Sequence, residues 1–258
     1  MTFLFDSIVF GPIHSRRLGV SLGINLLPEG CKYCSFNCIY CECGWTKISN
    51  IDKIIFPPSM LIRQLLEKKL REMQKNNELP DAISFAGNGE PTLHPDFAEI
   101  IDFTILLRNK YSPKSKIAVL SNATMLHLPE VVNALKKVDM NILKLDAGTE
   151  ETLRKINHPI VDITLKEIVS NLKQFTSNLI IQTLFVRGVC NGKNIDNTTN
   201  VEVKEWLKCL QDLKPERVMI YPIARAAPVQ GLEKVSLIEL EAIAEKVRKI
   251  GLKAEVYY

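Results

Sequence analysis

The sequence predicts an α/β protein built as a partial (β/α)6 TIM-like barrel. Short β-branched runs alternate with longer amphipathic ones along the 258 residues, and that alternation builds a parallel sheet with helical cover. The composition, 46% hydrophobic and 24% charged, suits a soluble protein with a sizeable core. No low-complexity linker or break in composition divides the chain. One domain over 1–258 is therefore expected, with a cysteine-rich loop at 31–43, a barrel core at about 18–223 and a closing helix and strand at 236–257.

Taken in order, VSLGINL (20–26) is the first expected strand. A helix is expected over 58–75, where apolar residues fall at 61, 62, 65, 66, 70 and 73 with a period near 3.6. AISFAG (82–87) is the second strand, and Pro95 and Asp96 mark the start of a helix over 95–108. KIAVLSN (116–122) with a helix at 128–137, and NILKLDA (141–147) with a helix at 164–176, continue the pattern. LIIQTLFVRG (179–188) precedes a helix at 199–213, and RVMIYPI (217–223) precedes one at 236–250. KAEVYY closes the chain as a last strand. The stretch VCNGKNIDNTTN (189–200) reads as a loop and a mobile cover. Right-handed crossovers curl such a sheet into an open barrel, with functional residues at the C-terminal ends of the strands.

Charge narrows the function classes. The net charge of +4, from 33 basic and 29 acidic residues, gives no dense nucleic-acid track. Lys68, Lys69 and Arg71, and likewise Lys136 and Lys137, read as solvated helix faces. No apolar stretch has the length of a membrane span. The opening MTFLFDSIVFGPIHSRR has neither a basic residue before its apolar run nor a small-residue cleavage site. Seven cysteines, five of them between 31 and 43, fit a reducing cytoplasm better than a secreted disulfide framework.

The densest chemistry is CSFNCIYC (34–41), placed on the loop after the first strand. A structural zinc site commonly takes two CxxC pairs separated by a longer loop, and no second pair follows here. Three close thiolates can instead hold three irons of a [4Fe–4S] cube and leave the fourth open to a ligand. A zinc knuckle or buried thiols are the blander alternatives. SFAGNGEPTLHP (84–95) is the second signal: the strand ends in Gly87-Asn88-Gly89-Glu90, where glycines allow close backbone approach and Glu90 supplies a carboxylate.

These motifs resemble the radical S-adenosylmethionine enzymes. CSFNCIYC is similar to that superfamily's Cx3Cx2C signature, with an aromatic residue before the last cysteine. GPIHSRRLGVSLGINLLP, CIYCECGWT and LDAGTEETLRKINHP resemble most the subgroup related to the tRNA wybutosine-synthesis enzyme. The resemblance spans about 11–223 and implies a barrel of the radical SAM type. It further implies Cys34, Cys38 and Cys41 as cluster ligands, and S-adenosylmethionine as cofactor. Gly87, Asn88, Gly89 and Glu90 correspond to a GGEP-type motif that meets the cofactor's amino group, through a carboxylate or backbone carbonyls. Asn88 departs from the commonest glycine. Tyr40 is expected near the adenine, or else packed beside the cluster.

Ser121 and Asn122 are candidates for the cofactor's ribose or carboxylate, or simply turn formers. Asp146 is a ribose or substrate contact or a helix N-cap, with Lys144 on the same face. Arg187 is a candidate for the cofactor carboxylate, with a surface charge as the alternative. His14, Arg16 and Arg17 either bind an anionic substrate, order the entrance or stay solvated; His94 and His158 read as structural.

Cys31, Cys43, Cys190 and Cys209 form no obvious second ligand set; Cys31 and Cys43 either ligate an additional cluster or, as expected, are packing thiols. The resemblance implies a one-electron donor such as flavodoxin or ferredoxin. Its substrate classes are an RNA base, a peptide, or a partner protein that receives a glycyl radical. A non-enzymatic module that binds zinc and RNA is the alternative from a different class.

Overall fold

β-Branched residues buried on both faces set the parallel strands. The structure, a computed structural model, describes residues 3–47, 54–224 and 227–258; residues 48–53, inside the expected barrel span, and 225–226 lie outside it. The described strands are β1 (Val9–Ser15), β2 (Gly19–Ile24), β3 (Ala82–Phe85), β4 (Lys116–Ser121), β5 (Met140–Lys144), β6 (Leu179–Cys190), β7 (Lys193–Asp196), β8 (Arg217–Pro222), β9 (Leu232–Lys234) and β10 (Ala254–Val256). The helices are α1 (Ser59–Lys75), α2 (Phe97–Tyr111), α3 (Pro129–Leu135), α4 (Glu150–Ile156), α5 (Leu165–Leu172), α6 (Asn200–Leu213) and α7 (Leu237–Lys249).

The sheet runs β1-β2-β3-β4-β5-β6-β8-β10. β1 is antiparallel to β2, and every later pair on this path is parallel. All four residues of β3 are buried, as a strand covered on both faces requires. The helical cover presents Ile62, Leu66 and Leu70 from α1 and Ile100, Ile101 and Leu107 from α2. Each such fully buried side chain contributes about 1.5–3 kcal/mol of hydrophobic stabilisation before entropy is set against it. Local signals agree with these boundaries: Thr164 with Glu167, and Ser236 with Glu239, form reciprocal capping boxes at α5 and α7.

Two expectations change. The stretch 189–200 is no loose cover: β6 continues to Cys190 and turns back as β7, with Val189 opposite Asn194. β9 pairs on the other side of the same extension. The hairpin buries Ile195 and Cys190 against Ile39, Ile156, Leu184 and Val186, so its polar composition conceals an apolar anchor. Secondly, α4 forms inside LDAGTEETLRKINHP, with Thr149 capping it by accepting from Thr152 N. At seven residues it is too short for a periodic signal to emerge.

Candidate active site

The loop that carries Cys34, Cys38 and Cys41 is pinned along both edges. On one edge the Tyr33 N–H donates to Asn88 O at 2.8 Å, and the Glu90 N–H donates to Tyr33 O at 3.1 Å. On the other, Asn37 N–H donates to His158 O (3.0 Å), Ile39 N–H to Ile156 O (2.9 Å) and Ile160 N–H to Ser35 O (2.9 Å). The loop is thus wedged between the end of β3 and the segment that follows α4.

This wedge explains Gly87 and Gly89 differently from the expectation of close ligand approach. A Cβ on Gly89 would stand 1.8 Å from the Tyr33 carbonyl oxygen, and one on Gly87 would stand 2.4 Å from Asn25 Oδ1. Both lie at positive φ, +145° and +156°. The glycines first make room for the chain itself. Asn88 is wholly buried; its side chain accepts from Phe5 N–H and donates to Phe5 O and Pro28 O. Glu90, 2% exposed, has both oxygens engaged: Oε1 accepts from Thr92 N–H and Oγ1–H, and Oε2 from Asn122 N–H. Burial nonetheless raises its pKa. Asn88 and the Glu90 carboxylate therefore brace the site from within. Gly87 borders the cavity, and its carbonyl accepts from Cys43 Sγ at 3.4 Å.

Amide donors surround the thiols. Asn122 Nδ2 lies 3.5 Å from Cys34 Sγ and donates to Ser35 Oγ at 2.9 Å. Phe36 N–H donates to Cys34 Sγ at 3.4 Å, and Asn157 Nδ2 to Cys38 Sγ at 3.4 Å. Ser121 Oγ accepts from Ala123 N–H. Asn122 thus reaches the cysteine loop with its amide nitrogen, while its Oδ1 accepts from Thr124 N–H at 3.0 Å as a turn former does. Burial pushes the Cys34 thiol up to about 12 and raises Cys38 as well. The sulfur hydrogen bond between Cys41 and Cys43 holds Cys41 down and Cys43 up. Lys32, missed in the sequence, is buried, donates to Gly44 O at 2.9 Å and lies among four of these thiols.

The same donors test whether a cluster fits. Thiolates on iron need N–H groups aimed at sulfur, and a nearby ammonium offsets their charge; Asn122, Asn157, Phe36 N–H and Lys32 provide both. Among the described residues no three His, Cys, Asp or Glu side chains converge on one ion. Cysteines that each bind a separate iron of a cube need no such convergence. Asn157 Oδ1, buried and without a protein partner, is a further free acceptor beside Cys38. The donor set fits a cube with three thiolate ligands.

Asp146 is fully buried, and it is not a helix N-cap, since Thr149 takes that role. Its Oδ1 accepts from Leu184 N–H at 2.9 Å. Its Oδ2 accepts from Asn157 Nδ2 at 2.7 Å and from the Tyr40 hydroxyl, and pairs with Lys144 Nζ at 3.3 Å. Lys144 also donates to Tyr40 Oη at 2.7 Å. Burial is the largest single influence on Lys144 and would lower its pKa, but Asp146, Tyr221 and Cys38 together turn the net shift upward. Tyr40 is held well above its ordinary pKa by burial and by Asp146. Tyr40 therefore stands between two fixed charges beside Cys41.

Arg187 is placed elsewhere. Because β6 continues three residues past it, Arg187 is no strand terminus. Its guanidinium binds Glu239 Oε1 at 2.5 Å and Thr198 Oγ1 at 3.1 Å, at the start of α7. Cys190 packs in the hairpin cluster and Cys209 against the main core.

A cavity of about 420 Å³ opens beside Cys41 and Cys43, walled by Tyr40, Gly87, Leu184 and Tyr221, with Tyr257 near the chain end. A larger groove of about 670 Å³ lies against Asp81, Ala82 and Lys116, at the N-terminal ends of the strands. Cys41 and Cys43, with the strand ends at Ala86–Gly87 and Pro222–Ala224, border the smaller one, which is the candidate site.

The family profile described as "Radical SAM superfamily" matches residues 29–196. A "UPF0026 protein" of Methanocaldococcus jannaschii is 33% identical over 255 residues, covering 95% of this chain and 75% of that protein. "GTPase Obg" of Brachyspira hyodysenteriae is 31% identical over 241 residues, 90% of this chain but only 32% of that protein. The chain thus spans about a third of that relative, and it contains no GxxxxGK[S/T] phosphate loop. Among solved structures, a radical SAM methyltransferase from Sphaerobacter thermophilus aligns with a TM-score of 0.67 at 14% identity, over 92% of this chain and 66% of that one. TYW1 with a lysine–pyruvate adduct aligns at 0.61 and 16% identity, over 89% and 73%. At such identities these two likenesses concern the fold.

Proposed function

Since the chain belongs to the radical SAM superfamily, we propose that it holds a [4Fe–4S] cluster on Cys34, Cys38 and Cys41 and uses S-adenosylmethionine to start a radical reaction on a substrate in the 420 Å³ cavity. When bound, cluster and cofactor supply reductive cleavage of the sulfur–carbon bond and a 5′-deoxyadenosyl radical that takes hydrogen from the substrate. The observation that carries this reading is the wedged cysteine loop, with Asn122 and Asn157 amides at the sulfurs of Cys34 and Cys38.

The chain's own residues orient and enclose. Gly87 lines the cavity, and its carbonyl would accept from the cofactor's ammonium, the backbone member of the two expected acceptors beside the Glu90 carboxylate. Asp146 and Lys144 fix the Tyr40 ring, which offers a flat wall beside Cys41. Leu184 and Tyr221, packed in the same cluster as Tyr40, and Tyr257 line the cavity as well and exclude water. A small one-electron donor such as flavodoxin or ferredoxin completes the system. Among the described residues no helix is long and apolar enough to cross a membrane.

The test is anaerobic reconstitution with iron and sulfide, followed by dithionite and S-adenosylmethionine. About four irons and four sulfides per chain are expected, with 5′-deoxyadenosine detected by chromatography. Cys34→Ala, Cys38→Ala and Cys41→Ala should each abolish both. One zinc per chain, or 5′-deoxyadenosine from Cys38→Ala, would sink the assignment.

A further inference from the structure

The floor of the cavity carries a charge that the fold leaves unanswered. Arg17 follows β1 and is half-buried. Its Nη1 donates to Gln182 Oε1 at 3.0 Å, and its guanidinium carbon lies 4.6 Å from the centre of the Tyr221 ring. Both partners are neutral. Carboxylates on neighbouring elements are engaged elsewhere: Asp81 accepts from Val20 N–H, Glu255 pairs with Arg217 at 3.2 Å, and Glu42, which lines the same cavity, also has a partner. Asp146, buried against the Tyr40 hydroxyl, is matched by Lys144. Among the described residues Arg17 has no ion-pair partner, and its Nε and Nη2 make no hydrogen bond. A guanidinium fixed by one nitrogen, with the other two donors free, presents the fork that binds an oxyanion in bidentate fashion.

Gln182 points the same way. It is 5% exposed, and its Oε1 accepts from both Arg17 and Tyr221, the latter at 3.3 Å. That commits the oxygen and leaves the Nε2 hydrogens without a protein acceptor. An oxyanion bound beside Arg17 would offer those hydrogens an acceptor. Arg16 and His14 also line this cavity and are exposed.

We propose that the substrate carries an oxyanion, a carboxylate or a phosphate, which binds the free fork of Arg17 with help from the Gln182 amide, while Arg16 and His14 attract it at the rim. This rests on the cavity being the catalytic one, but its test needs no cofactor cleavage. The readout is thermal unfolding of cluster-reconstituted protein titrated with inorganic phosphate or, separately, acetate, at ionic strength held constant with chloride. The wild type should gain stability with one or both anions. The stronger probe identifies a phosphate or a carboxylate on the substrate.

Arg17→Gln should weaken the effect about tenfold or more, Arg17→Lys should retain part of it, and Arg16→Gln, at the rim, should weaken it less. Saturating S-adenosylmethionine should leave the anion effect in place. The proposal is overturned if neither anion stabilises the wild type, or if Arg17→Gln and Arg17→Lys both respond as the wild type does. It is also overturned if S-adenosylmethionine abolishes the effect, because the fork then serves the cofactor's own carboxylate. Failure to form 5′-deoxyadenosine would not change any of these outcomes.

Discussion

Single residues at this site serve the loop before they serve a ligand. Gly89 is the clearest case, because its missing side chain is what lets the Tyr33 carbonyl approach. Gly89→Ala must relieve both that clash and a φ of +145°, at a cost of about 2–3 kcal/mol or more. The expected result is a lower midpoint in urea together with loss of bound iron, since the cysteine loop loses one of its two edges. An unchanged midpoint with full iron would show that the loop docks without this contact. The motif was legible in the sequence as glycines after a strand. The contact that requires them was not, because it joins residues 33 and 89 through backbone atoms, which leave no trace in side-chain pattern. Lys32 and Asn157 escaped for a related reason: a buried lysine reads as a surface one until its neighbours are known.

At the scale of elements, the short segment between β3 and α2 holds a pH-sensitive joint. His94 Nε2 donates to Pro57 O at 2.9 Å, and its Nδ1 accepts from Asp96 N–H at 3.0 Å. The ring must be neutral to do both. Burial lowers its pKa below the usual 6.5. A depressed histidine pKa means that the unfolded chain binds the proton more readily. The contribution is therefore complete above about pH 6.5 and is lost as pH falls through the lower folded-state value. Urea unfolding followed from pH 7.5 to 5 should show this decline, and His94→Gln should flatten it; an identical slope in both proteins would assign the acid sensitivity elsewhere. The elements themselves were read well where they are long and periodic, as in α1 and α6. They were misread where a short polar run hides a structural anchor, as in the β6–β7 hairpin, whose Ile195 is the only strongly apolar residue between 191 and 200.

At the scale of the molecule, the closing strand does more than end the chain. β10 pairs in parallel with β8, and Tyr257 N–H donates to Ile220 O at 2.9 Å while its side chain lines the cavity. Removing residues 252–258 should lower Tm by about 2–4 °C for each kcal/mol lost, and it should widen the site on the side of Tyr221. Calorimetry of the truncated protein tests the first effect, and weaker anion protection at Arg17 tests the second. The sequence by itself determined the α/β barrel, the cysteine loop as its chemical centre and the strand ends as the places to look. Those follow from local periodicity and from the close spacing of cysteines along the chain. Only the tertiary structure decided which side chains face that centre. It turned Arg187 outward to Glu239, folded Asn88 and Glu90 into internal braces, set Tyr40 between Asp146 and Lys144, and left Arg17 uncompensated on the cavity floor. The physical reason is that facing and pairing depend on partners tens to more than a hundred residues away, brought together by sheet register and burial.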